Sequence, residues 1–311
     1  MMISNEIHSI CEGPQGKLWI GTDKGVGVFD GRSWQDIVFG GDPLGNYVLF
    51  AAADQDGVWI GTYRGANRFD GRSWRLWNQK EGYLHTGVRS MLRDSSGRLW
   101  FGMEASALYS VLISRFDGSK WVRYTVTDGL PEGPTLKLIE DGEGRIWMAT
   151  PMGVGLFDGV SWSRITFPDE VVAMDIDPDG KIWVLTRSNL MRHEDGGWIE
   201  VLLPEQARKV QSLLIDRSGG IWVGTGENGL FFCDRMMRTY PIPGVTAISN
   251  DGSGKIWIGT ESGIRPLEGK GETAFIGQVR SICPEGDSVW VAFKGGLVRI
   301  CLLYTSPSPR D

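Results

Sequence analysis

The stretch that decides the fold is VQSLLIDRSGGIWVGT, residues 210–225. A short run of apolar and small residues leads to Asp216, Ser218-Gly219-Gly220 follows, and Ile221-Trp222-Val223 returns as a second apolar run. Asp bonds back to the backbone just after it and Gly enters the left-handed region without strain, so the middle of the stretch is a tight turn. Two short runs joined in this way read as an antiparallel hairpin.

The spelling recurs along the whole chain. KLWIGT, GVWIGT, RLWFGM, RIWMAT, KIWVLT, GIWVGT, KIWIGT and SVWVAF place Trp at 19, 59, 100, 147, 183, 222, 257 and 290. The same turn precedes many of them, as in DSSGRLW, DGEGRIW, DPDGKIW, DRSGGIW and DGSGKIW. After the Trp run come a Gly and a third run (GVGVFD, GANRFD, GVGLFD, GGLVRI), then in many copies a turn and a fourth run opening on Trp, as in GRSWQDI, GRSWRLW, GSKWVRY and GVSWSRI. Each unit is therefore four short antiparallel strands. The second is apolar on both sides, Leu18 and Ile20 one way and Trp19 the other, so it needs a sheet packed on each face. Four-stranded units stacked face to face and closed into a ring are the β-propeller solution. The expectation is an all-β propeller of eight blades over residues 1–300, its last blade incomplete. Seven closed blades with the eighth copy opening a second ring fit the same intervals.

The pattern V-x-S-Φ-x-x-D-x-x-G-x-Φ-W-Φ-G-T-x-x-G-Φ, with Φ apolar, resembles the two-component regulator propeller repeat, and TVTDGLPEGP at 125–134 is similar to that family's inter-blade linker. The resemblance covers nearly all of residues 3–300 and implies a sensor or stand-alone binding module, usually placed ahead of a membrane helix and a kinase. CLLYTSPSPRD at 301–311 breaks the repeat and carries two Ser-Pro steps, which cannot supply ladder donors. It resembles a translated sequencing adapter, the alternative being a natural disordered tail; on the first reading the native protein continues beyond Ile300.

Composition narrows the function. Gly is 44 of 311 residues and Trp 14, with charged residues at 23%, which excludes disorder and collagen. The net charge of −6 comes without a basic stripe, which argues against nucleic acid. No apolar run is long enough for a membrane helix and the N-terminus lacks a signal-peptide pattern, so the expectation is a soluble, cytoplasmic chain. Cys11, Cys233, Cys283 and Cys301 form no CxxC pair, consistent with a reducing compartment. Asp175-x-Asp177-x-Asp179-Gly180 begins like a calcium loop but has Thr186 where a bidentate Glu is required. GSGK at 252–255 lacks the Ser or Thr of a phosphate loop. Both are hairpin turns, and no metal or cofactor is expected.

In such blades the turns between strands one and two, and three and four, share one face of the ring; the two-to-three loops and blade linkers share the other. The first face carries the stereotyped Asp/Gly turns, while the second varies in length and type, and variable loops on a repeated scaffold are where recognition sits. Aligning the first strands on the Trp gives His8, Leu49, Arg89, Leu136, Val172, Gln211, Thr246 and Arg280 at one inward position. His8, Arg89, Gln211, Thr246 and Arg280 are the candidate ligand-binding ring at the channel mouth. Tyr63, Arg64, His85, Glu104, Arg187, Glu227, Asn228, Glu261 and Lys294 are candidates on the loops above it. Gathered cations would favour an anionic ligand, although Glu104, Glu227 and Glu261 could neutralise them. The expected function is non-catalytic binding of a small molecule, an oligosaccharide or a protein partner. The alternatives are a propeller lyase or hydrolase and a pure interaction scaffold; with three histidines and no catalytic motif, no catalytic residue is assigned.

Overall fold

The computed structural model describes residues 4–301, apart from 5, 14–15, 31, 41–42, 55–56, 79–86, 105–110, 195, 202, 204–206, 208, 217, 228, 234–236, 241, 243, 252–254, 268–273, 276 and 286–287. Its strands form eight separate antiparallel sheets, each in simple sequence order. These are blades 1 to 8, spanning 7–37, 48–78, 88–125, 137–165, 171–201, 210–240, 245–275 and 279–301. Blade 6 is typical, with strands Val210–Ile215, Ile221–Thr225, Leu230–Cys233 and Met237–Tyr240. Among the described residues blade 8 has three strands, Val279–Glu285, Ser288–Phe293 and Gly296–Cys301. Residues 302–311 lie outside the description. Among the described residues no helix is long and apolar enough to cross a membrane.

The ring closes with eight blades, which removes the seven-bladed alternative. Ile7, Leu18 and Ile20 of blade 1 share a core cluster with Trp290 and Ala292 of blade 8. Phe29 meets Trp290 edge to face, centroids 5.4 Å apart, and Arg280 Nη1 donates to the Ile7 carbonyl at 3.1 Å. The other clusters also lie between neighbouring blades; one joins Trp100 and Ile113 of blade 3 to Leu138 and Met148 of blade 4. Burial of both faces of every second strand is what makes the units stack.

Each letter of the repeat has a physical task. In blades 3 to 7 the turn Asp lies six residues before the central Trp and accepts its indole N–H: Trp100 to Asp94 at 2.8 Å, Trp147 to Asp141 at 2.7 Å, Trp183 to Asp177 at 2.8 Å, Trp222 to Asp216 at 2.7 Å and Trp257 to Asp251 at 3.3 Å. The same carboxylate holds its own turn, as where Asp177 accepts the N–H of Asp179 and of Lys181. Asp175 takes the Lys137 ammonium and the Ile215 N–H. The acidic run is thus consumed by turn and blade contacts.

The Gly after the Trp run marks where the next blade arrives. A Cβ added to Gly259 would lie 2.4 Å from Val279 Cγ1, and one on Gly224 would lie 2.5 Å from Val245 Cγ1. The Val of V-x-S therefore wedges against the Gly of the preceding blade. The Ser of V-x-S fits against the Gly of its own blade: Ser212 pairs with Gly224. The final Thr spans the two-to-three turn, Thr22 donating to the Gly25 carbonyl at 2.9 Å and Thr260 to that of Gly263 at 2.9 Å.

The linker at 125–134 is built in the same economical way. Thr125 and Asp128 form a reciprocal cap around the short 3-10 turn Val126–Asp128, Leu130 enters the core between blades 3 and 4, and Arg164 donates to the Leu130 carbonyl at 2.5 Å.

Candidate functional site

The inward position of the first strand is a β-bulge. Pairing of first and second strands runs Ile7 with Thr22 and then Ser9 with Gly21, leaving His8 as the extra residue. The same break leaves out Leu49, Arg89, Val172, Gln211, Thr246 and Arg280 in their blades. In blade 4 the first strand begins at Lys137, one residue after Leu136. A bulge turns one side chain out of the alternation and tends to mark functional rims. Here it takes the x of V-x-S out of the strand alternation, while the Val or Ile before it stays buried at all seven assigned bulges, in blades 1, 2, 3, 5, 6, 7 and 8.

The loops above the bulges are tied to them. Glu104 N–H donates to the Gly87 carbonyl at 2.6 Å, Arg187 to Glu170 at 3.0 Å, Gly226 to Lys209 at 2.9 Å, Glu261 to Gly244 at 2.9 Å and Lys294 to Gln278 at 2.8 Å. Each loop thus sits over the residue that precedes the buried Val. His85 and Asn228 fall outside the described residues.

Charge on this face is compensated. Arg89 pairs with Glu104 at 2.7 Å, Arg187 with Glu170 at 2.5 Å, Arg280 with Glu6 at 3.3 Å, and Lys209 with Glu227. Thr246 donates to the Val279 carbonyl of the next blade at 2.8 Å, the same junction Arg280 makes with Ile7. Lys294 and Arg64 are exposed on their turns and Gln211 is exposed at its bulge. Glu6, Glu170 and Lys209, which supply several of these pairs, were not singled out from the sequence. Their common signal is their place, one residue before the buried apolar residue of the first strand.

One sector differs. The His8 ring stacks on Tyr47, centroids 4.7 Å apart and planes at 28°, and Tyr47 meets Tyr63 at 5.1 Å. Arg280, Glu6 and Asp23 surround His8 closely enough to act on its ionisation: burial and then the Arg280 guanidinium lower its pKa, while Asp23 and Glu6 pull it back up. Burial first, and then Tyr63, raise the Tyr47 phenol. His8 Nε2 is buried with no hydrogen-bond partner among the described residues. Both rings are therefore neutral near pH 7, giving a half-buried aromatic ledge with one unspent polar atom at the seam of blades 8, 1 and 2. Tyr47 was missed in the sequence because it lies in a linker, next to Val48.

His193 has a different place. It packs between Trp147, at 4.9 Å, and Trp198, at 5.2 Å, in the contact of blades 4 and 5. No grouping of three His, Cys, Asp or Glu that could hold a metal occurs among the described residues.

Residues 1–24 and 82–105 match the two component regulator propeller family. Those two segments are two-component regulator propeller repeats. Among solved structures it is similar to the extracellular domain of a hybrid two-component system protein from B. thetaiotaomicron, at 18% identity and TM-score 0.59, over 96% of this chain and 52% of that one. It is also similar to virginiamycin B lyase from Staphylococcus aureus, at 15% identity and TM-score 0.64, over 96% and 95%. A third is YCF48 bound to D1 peptide, at 13% identity and TM-score 0.60, over 98% and 94%. The chain spans about half the length of the Bacteroides domains. At these identities the likeness is one of fold. A search of curated protein sequences finds no match.

Proposed function

We propose that this two-component regulator propeller is a non-catalytic binding module of sensor type, taking its ligand on the variable loop face at the seam of blades 8, 1 and 2. The observation that carries the proposal is the aromatic cluster beside the bulge ring, His8 stacked on Tyr47 and Tyr63 tilted against Tyr47 at 55°. The clustered rings offer an apolar surface, the buried His8 nitrogen offers one directional hydrogen bond, and the paired cations leave little net field. That combination suits a neutral polyhydroxy or aromatic small molecule, such as an oligosaccharide, better than a strong anion.

Thermal-shift screening against neutral and acidic oligosaccharides, small aromatics and peptides tests this. A ligand at 100 times its dissociation constant adds about 2.7 kcal/mol of stability. The shift is expected to vanish in Tyr47→Ala and Tyr63→Ala while both variants stay folded. Hits that persist in both variants, or that are all acidic and lost with Arg89→Gln, would move the site away from the ledge.

A lyase reading has one supporting fact. The fold match to virginiamycin B lyase extends over nearly the full length of both chains, and a His-to-Ala form of that enzyme is catalytically inactive. Turnover of a bound ligand that ceases in His8→Ala but survives in Tyr63→Ala would establish it for this chain.

A further inference from the structure

Near its end the third strand carries Phe in blades 1 to 4. Phe29, Phe69, Phe116 and Phe157 each pair with the Trp that opens the fourth strand, Trp34, Trp74, Trp121 and Trp162, and the rings touch at 4.9, 5.2, 4.9 and 5.2 Å. Three of these Phe rings also reach the central Trp of the preceding blade: Phe29 meets Trp290 at 5.4 Å, Phe69 meets Trp19 at 5.4 Å and Phe157 meets Trp100 at 5.3 Å. The slot thus locks one blade onto the next through apolar rings. Blade 5 keeps the slot and changes its occupant. His193 pairs with Trp198, their centroids 5.2 Å apart, and meets Trp147 of blade 4 at 4.9 Å. An imidazole fits where a benzyl ring does, but it takes up a proton.

The surroundings favour the neutral ring. Trp147 is fully buried, and the Arg145 guanidinium already lies 5.8 Å from its centroid, so a cation at His193 would share one indole with another. The acids of the blade 4 turn are committed. Asp141 accepts the Trp147 indole, Arg145 and its own turn amides, and Glu143 pairs with Arg145 at 3.0 Å. The third and fourth strands of blade 4 give this seam only the apolar Leu156 and Ile165, and Phe167 packs on Trp198 at 5.0 Å. In blade 5 itself Lys181 and Arg192 both pair with Glu194, and Arg192 lies over Trp183, which packs in the next seam, against blade 6. Glu200, two residues past Trp198, is exposed. Burial and then the Arg145 charge lower the His193 pKa, against the opposing pull of Asp141 and Glu143.

We propose that His193 makes the seam between blades 4 and 5 an acid-responsive joint: as a neutral ring it closes the seam as Phe does in blades 1 to 4, and as a cation it loosens it. A base whose proton is disfavoured in the folded state gives its stability above its unfolded value, about 6.5 for histidine, and loses it as pH falls through the folded one. Mild acid therefore selects the open seam, at a pH where the turn carboxylates are still ionised. The equivalent slots of blades 1 to 4 hold Phe and do not respond. In a ring of eight, blade 5 stands opposite blade 1, so this joint is separate from the aromatic ledge at blades 8, 1 and 2.

The test compares the parent with His193→Phe, which places the residue of the sister blades in the slot. In thermal melts between about pH 8 and pH 5, the two Tm curves are expected to run parallel above about pH 7 and to separate below about pH 6.5, the parent falling faster. Hydrogen exchange, corrected for the intrinsic rate at each pH, is expected to show where: at about pH 5 the parent loses protection in Ile146–Thr150, Leu190–Glu194 and Gly197–Val201, and the variant keeps it. Equal pH slopes in parent and variant overturn the proposal, and so does a loss of protection spread evenly over all blades. The parent's own His193 resonance decides the matter even where the variant does not fold. Its NMR titration midpoint is expected below 6.5; a midpoint above 6.5, as a cation favoured by the two indoles would give, also overturns it.

Discussion

The indole N–H of Trp147 donates to Asp141 Oδ2 at 2.7 Å, and Arg145 Nε donates to the same oxygen at 2.7 Å. Asp141 Oδ1 meanwhile accepts the backbone N–H of Glu143 and Arg145, each at 3.0 Å. One buried carboxylate thus closes the turn, anchors the central aromatic of its blade and neutralises a cation that lies over that aromatic at 5.8 Å. Burial alone would raise its pKa, but the Trp147 and Arg145 donors hold it below the ordinary carboxylate value.

Removing either partner should therefore be costly. Trp147→Ala is expected to destabilise by about 3–5 kcal/mol, the range for large aromatic truncations in cores. Asp141→Ala should cost about 1.5–3 kcal/mol, because it leaves the buried Trp147 indole donor and Arg145 Nε without their acceptor, while Arg145 Nη1 keeps its pair with Glu143 at 3.0 Å. Urea denaturation of the two variants measures both; a loss under 1 kcal/mol for Trp147→Ala would mean that the ring is not packed between blades.

The blade junction makes a second expectation. Gly259→Ala places a methyl 2.4 Å from Val279 Cγ1, so the variant should lose about 1–3 kcal/mol through overpacking. Pairing it with Val279→Ala should recover part of that loss, since the two residues share one contact. Simple additivity of the two losses in a double-mutant cycle would show that the wedge is not there.

Acid should weaken the ring in a defined window. The turn carboxylates Asp30, Asp70 and Asp158 are lowered by the backbone N–H groups that follow them, and Asp117 is lowered to about 2 by those of Lys120 and Ser119. A group depressed in the folded state contributes stability above its unfolded pKa and loses it as pH falls through the folded value. Stability is therefore expected to hold at neutral pH and to decline from about pH 4 toward pH 2. Asp117→Asn should flatten the lowest part of that decline in chemical-denaturation curves taken across pH.

His8 should titrate low. Burial, followed by the Arg280 guanidinium, favours its neutral form over the opposing pull of Asp23 and Glu6. A basic group with a lowered folded pKa gives its stability above the unfolded value and loses it as pH drops through the folded one. The His8 ring resonance in an NMR titration is expected to move with a midpoint below 6.5, and Arg280→Gln should raise that midpoint. A midpoint above 6.5 in the parent would contradict the buried stack with Tyr47.

Much of this could be read before any coordinates. The Trp spacing, the Asp-x-x-Gly turns and the two-sided apolar strand all follow from local rules of turn chemistry and alternation, and the eight repeats, the two unlike faces and the unfinished last copy are their direct consequence. The one-residue inward position was legible as well, because a residue repeatedly polar between Val and Ser cannot be packed. That it is a bulge was not legible, since a bulge is a property of pairing between strands.

What the chain alone determined is therefore the unit and its repetition, because each blade is built from neighbours in sequence. The tertiary structure decided everything that depends on which residues of different blades meet. It closed the ring with eight blades by setting Trp290 against Phe29. It brought Tyr47 from a linker onto His8 and paired Arg280 with Glu6 across 274 positions. It set His193 of blade 5 against Trp147 of blade 4. Charge pairing and ring stacking act over a few ångströms whatever the distance along the chain. Tyr47 lies in a blade linker, which has no period from which its partner could be counted.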